Sequence, residues 1–221
     1  AEELVPLPGA ISEDQAAASI LKGMTAQYLL LLTTSLKAGD TILVHAAAGG
    51  VGLFMCQWAK HLGITVIGTV STDEKAALAK AHGCDYPVIY SRDDFAPVVQ
   101  DITKGIGCSA VYDSVGADTI ERSWRSVRSH GTVASFGQAS GPITPDQLAK
   151  QPSDRYFIRT TLQAYNATRA NLLANAKDLF DVIERGAVKV TIGQTFALKD
   201  AARAHAALMG RETVGSTILR P

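Results

Sequence analysis

Residues 41–60 read TILVHAAAGGVGLFMCQWAK, and this stretch decides the fold. An apolar run rich in β-branched residues precedes a loop of small residues and a segment with helical periodicity, which predicts a strand, a tight turn and a helix. The first N–H groups of such a helix have no internal partner, and the helix dipole favours negative charge there. The turn therefore predicts a pyrophosphate site, with cofactor contacts expected from Ala48, Gly49, Gly50, Val51 and Gly52.

The spacing of the small residues departs at one position from the usual dinucleotide-binding pattern. That pattern is Gly-x-Gly-x-x-Gly, and here it reads Ala47-x-Gly49-x-x-Gly52, so alanine replaces the first glycine. A plain strand-to-helix turn is the alternative interpretation of such a loop. The strand before the loop and the helix after it favour dinucleotide binding.

The same strand-and-helix unit repeats along the chain. Alternation of this kind requires right-handed crossovers and a parallel sheet covered on both faces. The predicted fold class is therefore α/β, a Rossmann doubly wound parallel sheet. The predicted strands are 41–45, 65–69, 86–90, 108–113 and 131–136, with 156–162 as a candidate sixth.

The segments outside this repeat have a different character. Residues 13–32 are predicted to form two helices broken at Gly23, with a loop at 22–25, and residues 168–185 form an amphipathic helix. Three short β-rich pieces near the C-terminus do not continue the alternation, and we expect them to belong to a different domain. These pieces are 188–192, 194–198 and 216–220.

Composition and charge argue against several function classes. Lys plus Arg equals Asp plus Glu at 21 each, so no overall charge favours nucleic acid or an anionic membrane as a partner. The longest apolar stretch, around 28–32, is too short to span a bilayer, and no secretory signal opens the sequence. The three cysteines lack Cys-x-x-Cys spacing and the five histidines are dispersed. We therefore expect a cytoplasmic protein with buried thiols and no metal site.

Seven short motifs occur together in one order: QAAAS (15–19), KGMT (22–25), HAAAGGVG (45–52), YDSVG (112–116), SFG (135–137), LKDAA (198–202) and GS (215–216). Together they resemble the zinc-independent quinone oxidoreductases, the zeta-crystallin-like branch of the medium-chain dehydrogenase/reductase superfamily. Zinc alcohol dehydrogenases of that superfamily place a cysteine ligand a few residues before the threonine equivalent to Thr25. That place falls at about Leu21 here, and leucine binds no zinc.

The resemblance also implies a division of the chain. Members of this family carry a GroES-like catalytic domain before the cofactor domain, and their chain returns to it at the C-terminus. The implied parts are a connection from a missing catalytic domain at 1–24, the dinucleotide-binding Rossmann domain at 25–165, and a C-terminal helix and strands that return to the truncated GroES-like domain at 166–221.

The end of the second predicted strand favours NADPH over NADH. A site for NAD usually has an acidic residue there for the ribose 2′-hydroxyl, but this strand ends Val70-Ser71-Thr72, with Lys75 one turn into the next helix. The resemblance likewise implies that Lys75 and Tyr90 lie beside the adenosine phosphate. In the alternative interpretation, Ser71 and Glu74 form a capping box and Lys75 is a solvated surface lysine. Asp73 and Glu74 would also repel a phosphate that they faced.

The nicotinamide end is expected where the fourth and fifth strands end. Ser114 and Phe136 follow those strands, at the edge where open α/β sheets bind ligands, and the resemblance adds Thr25. Ser114 with Asp113 and a histidine is also compatible with a hydrolase, but no Gly-x-Ser-x-Gly elbow surrounds Ser114. Asp113 is instead expected to bond nearby backbone.

The resemblance implies hydride transfer from NADPH to a quinone or an α,β-unsaturated carbonyl. It places the substrate-contacting residues in the missing domain, so no catalytic residue is named. An enoyl-thioester reductase of the fatty-acid or polyketide type and a non-catalytic nucleotide- or RNA-binding protein are the alternatives, although neutral charge argues against RNA. We also expect a homodimer, because the predicted strand 156–162 would leave an unpaired sheet edge and the family pairs this way.

Overall fold

A computed structural model describes residues 3–210 and 212–221. Its strands are β1 Thr41–Val44, β2 Thr65–Val70, β3 Tyr86–Ile89, β4 Cys108–Asp113, β5 Val127–Ser135, β6 Tyr156–Arg159, β7 Ile192–Ala197 and β8 Ser216–Arg220. Its α-helices are α1 Glu13–Leu31, α2 Gly50–His61, α3 Asp73–Ala81, α4 Phe95–Ile102, α5 Ile120–Ser126, α6 Pro145–Ala149, α7 Leu162–Tyr165, α8 Arg169–Glu184 and α9 Ala201–Met209. After each of β1 to β4 a helix follows the strand, as predicted.

Strands β1 to β6 form one parallel sheet in the order β3-β2-β1-β4-β5-β6. The strand order reverses between β1 and β4, where Ile42 pairs with Ala110 and Val44 pairs with Tyr112. Open α/β sheets bind ligands outside the carboxyl ends of the strands at such a reversal. The predicted Rossmann sheet is confirmed, and its topology places the candidate site above β1 and β4.

Helices cover both faces of this sheet and create two hydrophobic clusters. The larger cluster packs α1, α2 and α8 against one face, with Tyr28, Met55 and Leu179 fully buried. The smaller cluster packs α4 and α5 against the other face, through Phe95 and Trp124. A parallel sheet buried on both faces needs apolar residues at successive positions, and β1 supplies them with Ile42, Leu43 and Val44.

The predicted break at Gly23 is wrong, because α1 runs without interruption from Glu13 to Leu31. A Cβ on Gly23 would collide with the Leu179 side chain of α8, approaching Cδ2 to 3.0 Å. The glycine therefore allows two helices to pack closely instead of ending one of them. The predicted loop at 22–25 lies inside α1, and the helix also crosses the predicted domain boundary between residues 24 and 25.

Two other segments differ from prediction for identifiable reasons. Strand β5 begins at Val127 and not at residue 131. The early part of the strand was missed in the sequence because residues 128–130 are polar and partly or fully exposed, which interrupts the apolar pattern. The predicted strand 188–192 does not form: Gln57 of α2 exchanges hydrogen bonds with the backbone N–H and C=O of Lys189, at 2.9 and 3.1 Å. A side chain thus satisfies the backbone groups that a neighbouring strand would have taken.

The C-terminal segment returns to the loop between β1 and α2. Strands β7 and β8 form a separate two-stranded parallel sheet, and the Ser216 hydroxyl donates a 2.7 Å hydrogen bond to the Ala18 carbonyl of α1. Gly215 forms a parallel bridge with Gly49. The predicted β-rich end is therefore attached to α1 and to the loop after β1.

Within residues 3–210 and 212–221, no helix is both long enough and apolar enough to cross a bilayer.

Candidate functional site

The loop between β1 and α2 leaves the start of α2 open to an anion. Gly49 is the N-cap of α2 and supplies no side-chain cap, and the first turn of α2 has no acidic residue. Helix α3, in contrast, begins with a capping hydroxyl from Thr72 and two acidic residues. The N–H groups and the dipole of α2 are therefore available to a negatively charged ligand.

Close packing requires glycine at the end of this loop. A Cβ on Gly52 would lie 2.6 Å from the Ala47 carbonyl oxygen and would also meet the Ala46 carbonyl oxygen. Ala46 itself has a φ of 53°, a left-handed conformation that is unfavourable for a residue with a Cβ. The loop is therefore a tight and strained turn, held close against the first turn of α2.

The alanine that replaces the first glycine is accommodated by a glycine on the neighbouring strand. Ala47 is fully buried, and a Cβ on Gly68 of β2 would lie 2.6 Å from the Ala47 methyl group. Gly68 thus provides the space that the first glycine of the usual pattern would have left. The departure from the pattern does not disturb the turn.

A cavity of about 330 Å³ opens beside this loop at the carboxyl ends of β1 and β2. Five of the eleven predicted cofactor residues line it, namely Ala48, Gly49, Ser71, Lys75 and Tyr90. The other six lie outside its lining: Gly50, Val51 and Gly52 form the first turn of α2, and Thr25, Ser114 and Phe136 lie on other elements. The structure thus brings the loop together with the end of β2 and Tyr90 after β3.

The predicted capping box of Ser71 and Glu74 is wrong. Thr72 is the N-cap of α3, and its hydroxyl accepts a 3.3 Å hydrogen bond from the backbone N–H of Lys75. Ser71 therefore remains on the cavity wall. The capping interaction begins one residue later than predicted because the chain leaves β2 at Val70 and needs Ser71 to make the turn.

One of the two acidic residues at the start of α3, Asp73, pairs with a cation. Arg92 donates a 2.9 Å hydrogen bond from Nη1 to Asp73 Oδ1, and its second nitrogen Nη2 contacts Oδ2. The hydrogen bond from Arg92 lowers the pKa of the Asp73 carboxyl. The Arg92 guanidinium therefore compensates the negative charge of the Asp73 carboxylate, and this reduces the repulsion between Asp73 and a phosphate near Lys75.

Ser114 and Phe136 lie together on two loops that cross closely. The Phe136 N–H donates a 3.0 Å hydrogen bond to the Asp113 carbonyl, and a Cβ on Gly137 would lie 2.6 Å from the Ser114 carbonyl oxygen. Thr25 is buried in α1, where its hydroxyl donates a 2.7 Å hydrogen bond to the Leu21 carbonyl. The structure thus brings two of the three predicted nicotinamide contacts side by side.

Asp113 bonds nearby backbone, as predicted. Its Oδ1 accepts hydrogen bonds from the N–H groups of Val115 at 2.8 Å and Gly116 at 2.9 Å. It also accepts from the hydroxyls of Thr119 and Ser123, at 2.8 and 3.0 Å to Oδ2. A carboxylate with this many donors fixes the loop that carries Ser114.

Sequence reasoning missed the histidine at the end of β1. His45 lines the cavity although only 1% of its surface is exposed, with Nδ1 2.9 Å from the Thr69 hydroxyl and Nε2 3.0 Å from the Ser123 hydroxyl. Burial lowers the pKa of His45. Ser123 has no exposed surface, so this His–Ser–Asp113 arrangement does not present a nucleophile to a substrate. The signal in the sequence was a histidine placed directly between a buried strand and the loop.

Comparisons with known proteins agree with this geometry. A family model described as zinc-binding dehydrogenase matches residues 50–184. A quinone oxidoreductase of Pseudomonas aeruginosa is 52% identical over 222 residues, covering 100% of this chain and 68% of the relative. The structure of Escherichia coli quinone oxidoreductase complexed with NADPH superposes with a TM-score of 0.93 at 45% identity, covering 97% of this chain and 67% of that one.

The chain belongs to the quinone oxidoreductase family. The 2-haloacrylate reductase of a Burkholderia species is also similar, at 44% identity over 226 residues that cover 100% of this chain and 68% of the relative. Reducing polyketide synthases match more distantly, for example at 36% identity over 134 residues that represent 6% of the relative. These matches confirm the resemblance drawn from the seven sequence motifs.

Zinc independence within this family stays a prediction for this chain. The family model carries a zinc-binding description. Across residues 3–210 and 212–221, no three His, Cys, Asp or Glu side chains are grouped so that they could hold a metal ion.

A further residue, Lys22, lies at the site, although the sequence predicted no role for it. A Cβ on Gly50 would lie 2.7 Å from Cε of Lys22, so the lysine side chain packs directly against the first residue of α2. Burial lowers the pKa of Lys22. The lysine belongs to the KGMT motif, but the predicted loop at 22–25 concealed that α1 carries it to the start of α2.

Proposed function

We propose that this chain binds NADPH and forms the cofactor-binding part of an NADPH-dependent quinone oxidoreductase. One observation carries the proposal: the uncapped start of α2 and the acid-free end of β2 border a single cavity. That cavity also has Lys75, Ser71 and Tyr90 on its wall. The related Escherichia coli enzyme is named as a quinone oxidoreductase and was solved with NADPH, which supports the choice of cofactor.

In this proposal each part of the site binds one part of the dinucleotide. The N–H groups at the start of α2, with Ala48 and Gly49, hold the pyrophosphate. Lys75 pairs with the 2′-phosphate as a point charge, and Ser71 and Tyr90 provide neutral hydrogen-bonding groups beside it. The Arg92–Asp73 pair supports this assignment because it compensates one of the two acids in the first turn of α3.

The nicotinamide is proposed to lie near Thr25, Ser114 and Phe136. When NADPH is bound, it supplies a hydride, and the protein supplies binding and orientation. The crossing of the Ser114 and Phe136 loops gives a rigid support for one side of the ring. The acceptor is proposed to be a quinone or an α,β-unsaturated carbonyl, in keeping with relatives named quinone oxidoreductase and 2-haloacrylate reductase.

We propose that the opposite side of the reaction site comes from residues outside this chain. The related enzymes are longer, since the chain covers 67–68% of their length. Large apolar side chains at the C-terminal part are exposed, including Met209 at 84% and Leu208 at 57%. This exposure supports the proposed division, in which 25–165 is the dinucleotide domain and 1–24 and 166–221 belong with a GroES-like catalytic domain.

Steady-state NADPH oxidation tests the proposed reaction. It should be measured with 1,4-benzoquinone, with an enone and with a crotonyl thioester, after subtraction of the non-enzymatic rate. We expect the 221-residue chain to bind NADPH with little turnover, and a chain extended to the full length of its relatives to reduce the quinone or the enone. Orientation and water exclusion between two domains can be worth about 7–11 kcal/mol of barrier. Equal rates from both chains would contradict the proposal that residues outside this chain complete the reaction site. Reduction of the thioester, without reduction of the quinone or the enone, would favour an enoyl-thioester reductase.

A homodimer that pairs at β6 is also proposed. Within the described part of the chain, β6 pairs with β5 on one side, and its other edge offers unpaired backbone groups to a symmetry mate. Ile158 lies in the middle of β6. We expect light scattering to give a dimer at high micromolar concentration and Ile158→Pro to shift it towards monomer. A monomer at that concentration, or a dimer that is unaffected by the proline, would contradict this pairing.

The cytoplasm is the proposed location. The three cysteines Cys56, Cys84 and Cys108 are all free and buried, and unpaired thiols persist in a reducing compartment.

A further inference from the structure

A continuous row of hydrogen bonds runs along the cavity wall from the loop between β1 and α2, here called the phosphate-binding loop, to the loop after β4. It begins at the backbone N–H of Ala46, which donates to the Thr69 hydroxyl at 3.3 Å. It continues through His45, with Thr69 on Nδ1 at 2.9 Å and Ser123 on Nε2 at 3.0 Å. It ends where Ser123 donates to Asp113 at 3.0 Å. The side chains of His45, Thr69, Ser123 and Asp113 are buried.

For a neutral imidazole and an ionised Asp113, the donor and acceptor chemistry allows one arrangement of protons along this row. An ionised carboxylate accepts and does not donate, so Ser123 uses its single hydroxyl hydrogen on Asp113. The Ser123 oxygen must then accept from Nε2–H of His45. A neutral imidazole with a hydrogen on Nε2 has an acceptor at Nδ1, so the Thr69 hydroxyl donates to His45. The Thr69 oxygen remains free to accept from Ala46.

We propose that His45 is a positioning residue that, as the neutral Nε2–H tautomer, holds the phosphate-binding loop in its strained conformation and ties it to the Ser114 loop. This proposal rests on the proposed NADPH site, because it concerns the loop that would hold the pyrophosphate. The loop needs such support at Ala46, whose φ of 53° is unfavourable for a residue with a Cβ. The row of hydrogen bonds favours that conformation by giving the Ala46 N–H an oriented acceptor.

The surroundings of His45 oppose its protonation. Burial is the largest effect and lowers its pKa, Asp113 raises it, and Arg122 lowers it again. Arg122 lies over the Phe95 ring, 4.8 Å from its centroid, and Phe95 meets the imidazole edge-on at 4.8 Å. An apolar ring and a cation beyond it thus lie beside His45, while the Asp113 Oδ2 atom lies 3.9 Å from Nε2. A doubly protonated ring would also turn Nδ1 into a donor and remove the acceptor for Thr69.

The proposal predicts a graded effect of substitutions at His45. His45→Asn retains an acceptor near the Nδ1 position, whereas His45→Gln retains polar atoms near Nε2 and removes that acceptor. We expect His45→Gln to weaken NADPH and NADH equally, by about tenfold, which corresponds to the loss of one or two neutral hydrogen bonds. His45→Asn should weaken them less. His61→Gln, the same change at an exposed histidine at the end of α2, is the control and should change neither affinity.

A second substitution separates positioning from direct contact. Glycine adopts a positive φ without steric cost, so Ala46→Gly removes the strain that His45 is proposed to compensate. In the His45→Gln background, Ala46→Gly should restore most of the lost affinity. If His45 instead contacted the cofactor directly, or served overall stability alone, the glycine would restore nothing and the proposal would fail. Thr69→Val, which keeps the side-chain shape, should reproduce the His45→Gln loss if the latter variant does not fold.

The tautomer gives a readout that does not depend on NADPH. Long-range ¹H–¹⁵N correlation spectra of the ¹⁵N-histidine-labelled protein, with His45 assigned by its absence in His45→Asn or His45→Gln, should show the proton on Nε2 throughout the neutral pH range. A proton on Nδ1, or titration at the ordinary histidine pKa, would overturn the proposal. If wild-type protein bound no NADPH, the proposed function would fail, and the spectra would still decide the tautomer on which the row of hydrogen bonds depends.

Discussion

The proposed adenosine end and the proposed nicotinamide end of the site differ in how completely this chain builds them. At the adenosine end, Ser71, Lys75 and Tyr90 line one cavity together with the phosphate-binding loop. At the nicotinamide end, Ser114 and Phe136 lie on crossing loops outside that cavity. We therefore propose that this chain alone binds the phosphates, whereas enclosure of the reacting ring requires another surface. Binding and turnover should be separable by experiment.

The largest expected effect is loss of both cofactors when the phosphate-binding loop is changed. Gly52→Val would push a branched side chain against the Ala46 and Ala47 carbonyls. We expect NADPH and NADH affinity to fall at least about a hundredfold, or about 2.8 kcal/mol, with native-like circular dichroism. Gly9→Val is the control, since a Cβ there meets no atom within 4 Å. A folded Gly52→Val variant that still bound NADPH with micromolar affinity would remove the loop from the site.

A smaller and selective effect is expected at the adenosine end. Lys75→Ala should weaken NADPH by about one to two decades, because a hydrogen bond to a charged group is worth about 1.5–3 kcal/mol, and should leave NADH almost unchanged. Lys80→Ala, on the same helix α3, is the matched control and should affect neither cofactor. Equal losses for the two cofactors would mean that Lys75 does not read the 2′-phosphate.

The buried histidine between the two ends should make stability depend on pH. Burial lowers the pKa of His45 in the folded protein, so below the unfolded value of about 6.5 the unfolded chain binds more protons. The stabilisation is fully present above that pH and is lost as pH falls, by at most about 1.4 kcal/mol per pH unit. Urea unfolding should therefore show that the stability difference between wild type and His45→Gln narrows from pH 7.5 to pH 5.5. A difference that stays constant would contradict a neutral His45.

The smallest effect is expected at the nicotinamide end. In the 221-residue chain by itself, Ser114→Ala should change NADPH affinity by about twofold, because a solvated neutral hydrogen bond contributes little. In a chain extended to full length, the same substitution should reduce kcat more than it raises the KM for NADPH. A loss in the 221-residue chain as large as that of Lys75→Ala would mean that the two ends are equally complete.

The fold was predictable because each sheet strand carries its own local signal. The β1 run, the small-residue loop and the periodic α2 stand next to one another in the sequence, and the parallel sheet followed from their repetition. The sequence around Gly23 could not show that the helix continues through it. The glycine is needed because Leu179, which lies 156 residues further along the chain, packs against it. The absent strand at 188–192 likewise depended on Gln57. Long-range packing, and not local propensity, decided both segments.

The candidate site likewise has a part that the sequence predicted and a part that only the folded structure reveals. The phosphate-binding loop was found from spacing, and Lys75 and Ser71 from the missing acid at the end of β2. His45, Ser123 and Thr69 come from three separate elements and meet only in the folded chain. No spacing marks such a group, since each residue is an ordinary polar position in its own segment.

Calorimetric titration of the 221-residue chain with NADPH and with NADH tests the central claim most directly. The claim is that this chain alone recognises the phosphates of NADPH and selects it through the adenosine end. We predict saturable one-to-one binding of NADPH, about ten to a hundred times tighter than NADH, with the difference abolished in Lys75→Ala. No saturable NADPH binding, or equal affinity for the two cofactors in the wild-type chain, would contradict it.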